Sequence, residues 1–212
     1  MILRGERGEA PEGRDAPCPD AVLFANDDGS FEMSGAWEGG GIEEPDWGSF
    51  AEGYPHLTTG TVCGIEAVFT RALDWSGNGS IDLYVWDYDV VNDDPGNVLS
   101  LVVAAPVSGV DYWPYVSALD FGVPETEIPG QGFFVGYWPR SHYLHPTQFT
   151  PCFDADGPGG VPRTKIVPGI GYPSGWQHVN VVFECVAVGL RPWVVGGPVP
   201  SERTTWGCLL YT

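Results

Sequence analysis

Positive charge is what this sequence has least of. Nine Lys and Arg stand against 28 Asp and Glu, the formal net charge is −19, and Lys165 is the only lysine. A surface this acidic repels phosphate backbones and anionic headgroups, which excludes nucleic acid as a partner and disfavours membrane surfaces. No apolar run approaches the ~20 residues of a membrane-spanning helix, so membrane insertion is not expected. The first residues, MILRGERGEAPEGRDAP, have no apolar core and do not read as a signal peptide. There is no Cys-x-x-Cys pair, no Gly-x-Ser-x-Gly elbow and no phosphate-cradling glycine loop. Sustained helical spacing of apolar residues is missing too, and without intervening helices a parallel α/β fold is excluded.

What is present is a series of short apolar runs separated by turn residues. The 30 glycines and 20 prolines lie between these runs rather than in one low-complexity block, which signals many turns. Strands are expected over residues 21–25, 31–37, 61–70, 80–88, 98–105, 115–121, 132–138 and 163–167, with two more within 179–195. The run 81–88 is largely apolar on both faces, as suits the interior of a β domain. Roughly ten short strands predict an all-β fold, an antiparallel, jelly-roll-like β-sandwich. Residues 1–19 read as an extended leader, 20–197 as the sandwich domain, and 198–212 as a Gly/Pro linker and C-terminal tail.

Five cysteines are scattered widely. Cys18, Cys63, Cys152 and Cys185 are the disulfide candidates, with several connectivities open, and Cys208 in the tail is the odd one out. Such scatter fits an oxidising compartment, so an extracellular or cell-surface location is inferred. On that view the chain is a piece of a longer exported protein or has a misplaced start. Asn78-Gly79-Ser80 is a glycosylation sequon.

The segments NDDGSFEMSGAW, FAEGYP, GTVCGIEAVFT, IDLYVWDYD, DPGNVLS, GFFVGYWP, DGPGGVPRTKIVPGIGYPSGW and VGLRPWVV resemble uncharacterised secreted modules of multidomain bacterial proteins. The tail, TTWGCLLY, resembles a Trp-Gly-containing segment near the C-terminus of such exported proteins. The resemblance implies export and a β-sandwich, and brings no catalytic residue with it.

Three acidic turns could bind a structural Ca²⁺, which takes several carboxylate and carbonyl oxygens at about 2.3–2.6 Å. They are Asn26-Asp27-Asp28 with Glu32; Asp87, Asp89, Asn92, Asp93 and Asp94; and Asp154 with Asp156. Asp and Asn also favour tight bends with no ion at all, so plain turn chemistry is the competing reading. Nine Trp and nine Tyr are a high aromatic load. Tyr112, Trp113 and Tyr115, in an expected loop, are the leading candidates for a platform on which a sugar stacks; Trp47 and Trp176 come next. Trp86, Trp138 and Trp193 lie within strands and are assigned to the core. His142 and His145 form an isolated His-x-x-His without a metalloprotease pattern.

The expected function is therefore a non-catalytic extracellular module, not an enzyme, that binds a glycan or another surface ligand. The alternative is a structural subunit that assembles with copies of itself through its terminal segments, with Trp206, Leu209, Leu210 and Tyr211 as the assembly residues. A polysaccharide-acting enzyme ranks third.

Overall fold

The computed structural model describes residues 2–9, 16–37, 39–72, 75–140 and 149–197. Among the described residues there are fourteen strands: β1 (Ile2–Glu9), β2 (Val22–Leu23), β3 (Ser30–Gly35), β4 (Phe50–Tyr54), β5 (Thr61–Thr70), β6 (Gly79–Asp89), β7 (Asp94–Val107), β8 (Ser117–Glu127), β9 (Phe133–Trp138), β10 (Thr150–Asp154), β11 (Val161–Ile166), β12 (Gly175–His178), β13 (Ala187–Val188) and β14 (Leu190–Val195). They form two sheets. One runs β1-β3-β10-β5-β14-β2, with β13 beside β10 and β8 beside β5; the other runs β12-β11-β4-β9-β6-β7. Every strand pair is antiparallel.

The sheets face each other across an aromatic core. Phe50 of β4 stacks on Tyr137 of β9 at 6.0 Å, and Tyr137 meets Phe69 of β5 edge-on at 5.3 Å. Phe153 of β10 reaches Phe50 at 5.7 Å. Alternation along β6 sends Leu83 and Val85 one way and Tyr84, Trp86 and Tyr88 the other, yet all five are buried. The second set packs on itself: Tyr84 stacks on Trp86 at 4.8 Å, Trp176 of β12 meets Trp86 edge-on at 5.4 Å, and Tyr88 stacks on Phe134 at 4.9 Å. This double burial is the reason that the run 81–88 carries no polar face. Trp86, Trp138 and Trp193 are all core residues, as expected.

Four strands escaped the sequence reading. β4 is broken by Glu52 and Gly53, and β12 is short with a polar half. β10 contains Pro151, which argues against a central strand. There Ser34 donates to the Pro151 carbonyl at 2.7 Å, and Ser34 and Thr150 share a short hydroxyl hydrogen bond. The segment Ile2–Glu9, read as a leader, pairs with β3 as the end strand of its sheet. Within 179–195, a 3₁₀ turn at Val179–Val181 takes the place of the first expected strand, and β13 and β14 follow.

Cys18 and Cys63 form a disulfide that ties the entry segment to β5. Cys152 and Cys185, expected as disulfide candidates, are buried free thiols instead. Burial pushes both thiols well above their ordinary range, so neither is an ionised nucleophile at neutral pH. Among the described residues no helix is long and apolar enough to cross a membrane.

Candidate functional site

The loop from Val110 to Val116 folds back over the outer face of the β5 sheet. Its backbone is pinned at several points. Arg71 N–H donates to the Asp111 carbonyl at 3.0 Å, and Trp113 N–H donates to the Arg71 carbonyl at 3.0 Å. Thr70 Oγ1 donates to the Tyr115 carbonyl at 2.8 Å, and Tyr115 N–H closes a tight turn on the Tyr112 carbonyl at 2.8 Å. Trp113 packs against a small apolar cluster of Phe31, Val68, Val116, Ala118 and Cys152. That contact makes Trp113 an anchor of the loop rather than an exposed face.

The two tyrosines are left outside. Tyr112 is 38% exposed and Tyr115 73% exposed. The Arg71 guanidinium carbon lies 3.7 Å from the Tyr112 ring centroid, so one ring face carries a cation. The result is a fixed loop that presents one phenol ring, Tyr112, against a guanidinium and a second, more exposed one at Tyr115. Two weakly polar faces and a hydrogen-bond donor together suit a hydroxylated, apolar-faced ligand such as a sugar.

Trp47 and Trp176 form a separate cluster on the other sheet. Lys165 Nζ lies 5.1 Å from the Trp47 ring and 5.6 Å from the Trp176 ring, and bonds both carboxylate oxygens of Asp46 at 2.8 Å. Both indoles are half-buried, and the lysine head between them is already paired.

The acidic turns separate into two outcomes. The first and third, distant in sequence, meet in space. Carboxylate oxygens of Asp28, Asp154 and Asp156 lie within 4.8 Å of one another. Asp154 is fully buried and accepts N–H bonds from Asp28 at 2.9 Å, Asp156 at 2.9 Å and Gly157 at 2.7 Å. Burial is the main cause that raises its carboxyl above the ordinary range. Asp87, Asp89 and Asp93 do not converge in this way. Asp87 accepts from the Asn97 backbone and side chain, and Asp89 from Val91 and Asn92. Asp93 and Asp94 bind Arg163 at 2.7 and 2.8 Å. Turn chemistry and an ion pair account for that cluster.

Two further groups join buried ionisable side chains, and of these side chains only Asp27 stood out in the sequence. Arg191 of β14 donates to Asp27 Oδ2 at 2.9 Å and to Glu66 Oε1 at 2.7 Å, with a second, shorter bond to Asp27. Glu52 of β4 is fully buried and accepts from Asn26 Nδ2, Val161 N and Val188 N, each at 2.8 Å. It joins β4, β11 and β13 through one carboxyl group, and burial pushes its pKa up to about 8. These carboxyls come from two strands and a turn far apart in sequence, so only tertiary packing brings them to their partners. His142, His145, Cys208 and the tail residues Trp206, Leu209, Leu210 and Tyr211 lie outside the described residues.

The chain matches no family model, no curated protein and no solved structure.

Proposed function

We propose that this protein is a non-catalytic extracellular or cell-surface binding module that docks a saccharide on the Tyr112–Tyr115 platform. The observation that carries the reading is the pair of exposed rings held on a pinned loop, with Arg71 against the Tyr112 ring. A rigid ring loses little conformational freedom when a sugar stacks on it, so more of the contact energy survives as affinity. The buried carboxyls of Asp27, Glu52 and Glu66 are bonded within the interior and serve architecture in this reading. The Cys18–Cys63 disulfide supports an oxidising compartment. Resemblance to secreted modules points the same way. A structural Ca²⁺ at Asp28, Asp154 and Asp156 belongs to the proposal, with further oxygens from backbone carbonyls or water.

The test is a titration with a panel of neutral and acidic oligosaccharides, read by calorimetry and by aromatic NMR shifts. Tyr115→Ala is expected to weaken binding about tenfold, equivalent to about 1.4 kcal/mol, while leaving the melting temperature unchanged. Equal affinity for the variant and the parent, or a panel with no binder, overturns the reading.

A second reading, a self-assembling structural subunit, is favoured by one observation. Ile2–Glu9 already serves as an added end strand on β3, and the same segment exchanged between copies would link them. A solution mass that rises with concentration and returns to the monomer on deleting residues 1–9 would support it. A concentration-independent monomer would refute it.

A further inference from the structure

Strand register decides what the outer face of the second sheet carries. Phe50 of β4 and Tyr137 of β9 are ladder partners that point into the core, so the alternate pair, Ala51 and Gly136, faces outward. Ala51 pairs with Arg163 of β11, two residues before Lys165, and Lys165 pairs with Trp176 of β12. Lys165 and Trp176 therefore share the outer face. Trp47 reaches the same place from the loop before β4. Its backbone exchanges two hydrogen bonds with Glu43, at 2.9 and 3.2 Å, and the next residue, Gly48, donates to the Lys165 carbonyl at 2.7 Å. Buried Trp86 braces Trp176 edge-on at 5.4 Å. Both half-buried indoles are thus held in place before any ligand arrives.

The only lysine of the chain completes the cluster. Lys165 Nζ lies 5.1 Å from the Trp47 ring and 5.6 Å from the Trp176 ring. It donates to both oxygens of Asp46 at 2.8 Å, and the lysine side chain is still 22% exposed. An ammonium has three N–H donors, so one is left without a partner among the described residues, and the carboxylate keeps spare lone pairs. Two indoles can take the C–H face of a sugar, while an adjacent donor and acceptor can meet two neighbouring hydroxyls. The ion pair holds the lysine head, so little freedom is lost on binding. As a unit the pair is neutral, and a net charge of −19 repels acidic sugars, which together favour a neutral ligand. The Tyr112–Tyr115 loop sits on the outer face of the other sheet, against Val68 and Ala118, so the thickness of the sandwich separates the two places.

We propose that Trp47 and Trp176, with the Lys165–Asp46 pair, form a second saccharide site that takes neutral sugars, and that one molecule bridges two glycan strands, one on each outer face. The bridging rests on the Tyr112–Tyr115 reading; the second site does not.

The experiment titrates neutral oligosaccharides into the parent and into Tyr115→Ala, following tyrosine ring and indole N–H signals by NMR. Tyr115→Ala is expected to keep a binding event that shifts the Trp47 and Trp176 indole signals. Adding Trp47→Ala or Lys165→Met to that variant should weaken this event at least about tenfold. Lys165→Met keeps an apolar stem and removes the charged head, so it separates a lost ligand contact from a lost fold. Binding in Tyr115→Ala that moves no indole signal, or that survives both added substitutions, overturns the second site. Loss of all binding in Tyr115→Ala while the parent binds also overturns it and leaves the tyrosine platform standing. Indole shifts unchanged by Tyr115→Ala, with no tyrosine shift in the parent, support the second site and overturn the platform. A panel with no binder refutes both. With a soluble polymer of the binding sugar, the parent should raise light scattering and each single-site variant should not; no rise with the parent refutes the bridging.

Discussion

Titrating Glu52 should weaken the fold as pH rises. Its carboxyl is fully buried, and burial raises its pKa from 4.5 to about 8 against the opposing pull of three N–H donors. Between these two values the native state holds a proton that the unfolded chain has released. Its contribution to stability is fully present below about pH 4.5 and is lost as pH rises to about 8. At about 1.4 kcal/mol per unit, this shift sets a ceiling of about 5 kcal/mol on the loss. The slope should not exceed about 1.4 kcal/mol per pH unit for the single proton involved. The assay is urea unfolding of the parent and of Glu52→Gln at intervals from about pH 5 to pH 8.5. The amide cannot ionise, and its Nε2 cannot accept from Val161 or Val188, so the variant starts about 1–3 kcal/mol less stable. The readout is the difference in slope: the parent should lose stability across the window relative to the variant. Parallel profiles would refute the reasoning, because they would mean that Glu52 binds no extra proton on folding.

Arg191→Met leaves Asp27 and Glu66 buried without their shared cation and should cost about 3–5 kcal/mol in denaturant unfolding. Replacing Cys18 and Cys63 by serine opens a link across 45 residues and should lower stability by about 4 kcal/mol on the loop-entropy model, seen as a lower urea midpoint. If Ca²⁺ sits at Asp28, Asp154 and Asp156, a concentration about 100 times its Kd should add about 2.7 kcal/mol, and chelator should remove it. Asp154→Asn should abolish that response, and a melting temperature indifferent to Ca²⁺ in the parent would count against the site.

The strands that could be read from the sequence are those that carry a sustained apolar run. Thr61–Thr70 is recovered with its boundaries, and the double-sided run at 81–88 is recovered because both of its faces are packed. β4 and β10 were hidden because their interiors carry Glu52, Gly53 and Pro151, each unfavourable in a strand unless partners from elsewhere supply hydrogen bonds. The pinned loop at Tyr112–Tyr115 was legible as an aromatic cluster. Its division into a half-buried anchor, Trp113, and two exposed rings depends on Arg71 and on the far cluster around Phe31.

Composition and periodicity by themselves determined an acidic, all-β chain of short antiparallel strands, because turn residues and period-two burial are local properties. Tertiary structure decided which carboxylates became neighbours. Asp28 and Asp154 are separated by 126 residues yet share one hydrogen-bonded corner, while Asp93, only a few residues from Asp89, turns away to Arg163. It also decided which cysteines met: Cys18 and Cys63 form a bond, while Cys152 and Cys185 stay apart as buried thiols. Proximity of this kind is set by the order of strands in the sheets, and strand order depends on long-range packing that no local pattern in the sequence encodes.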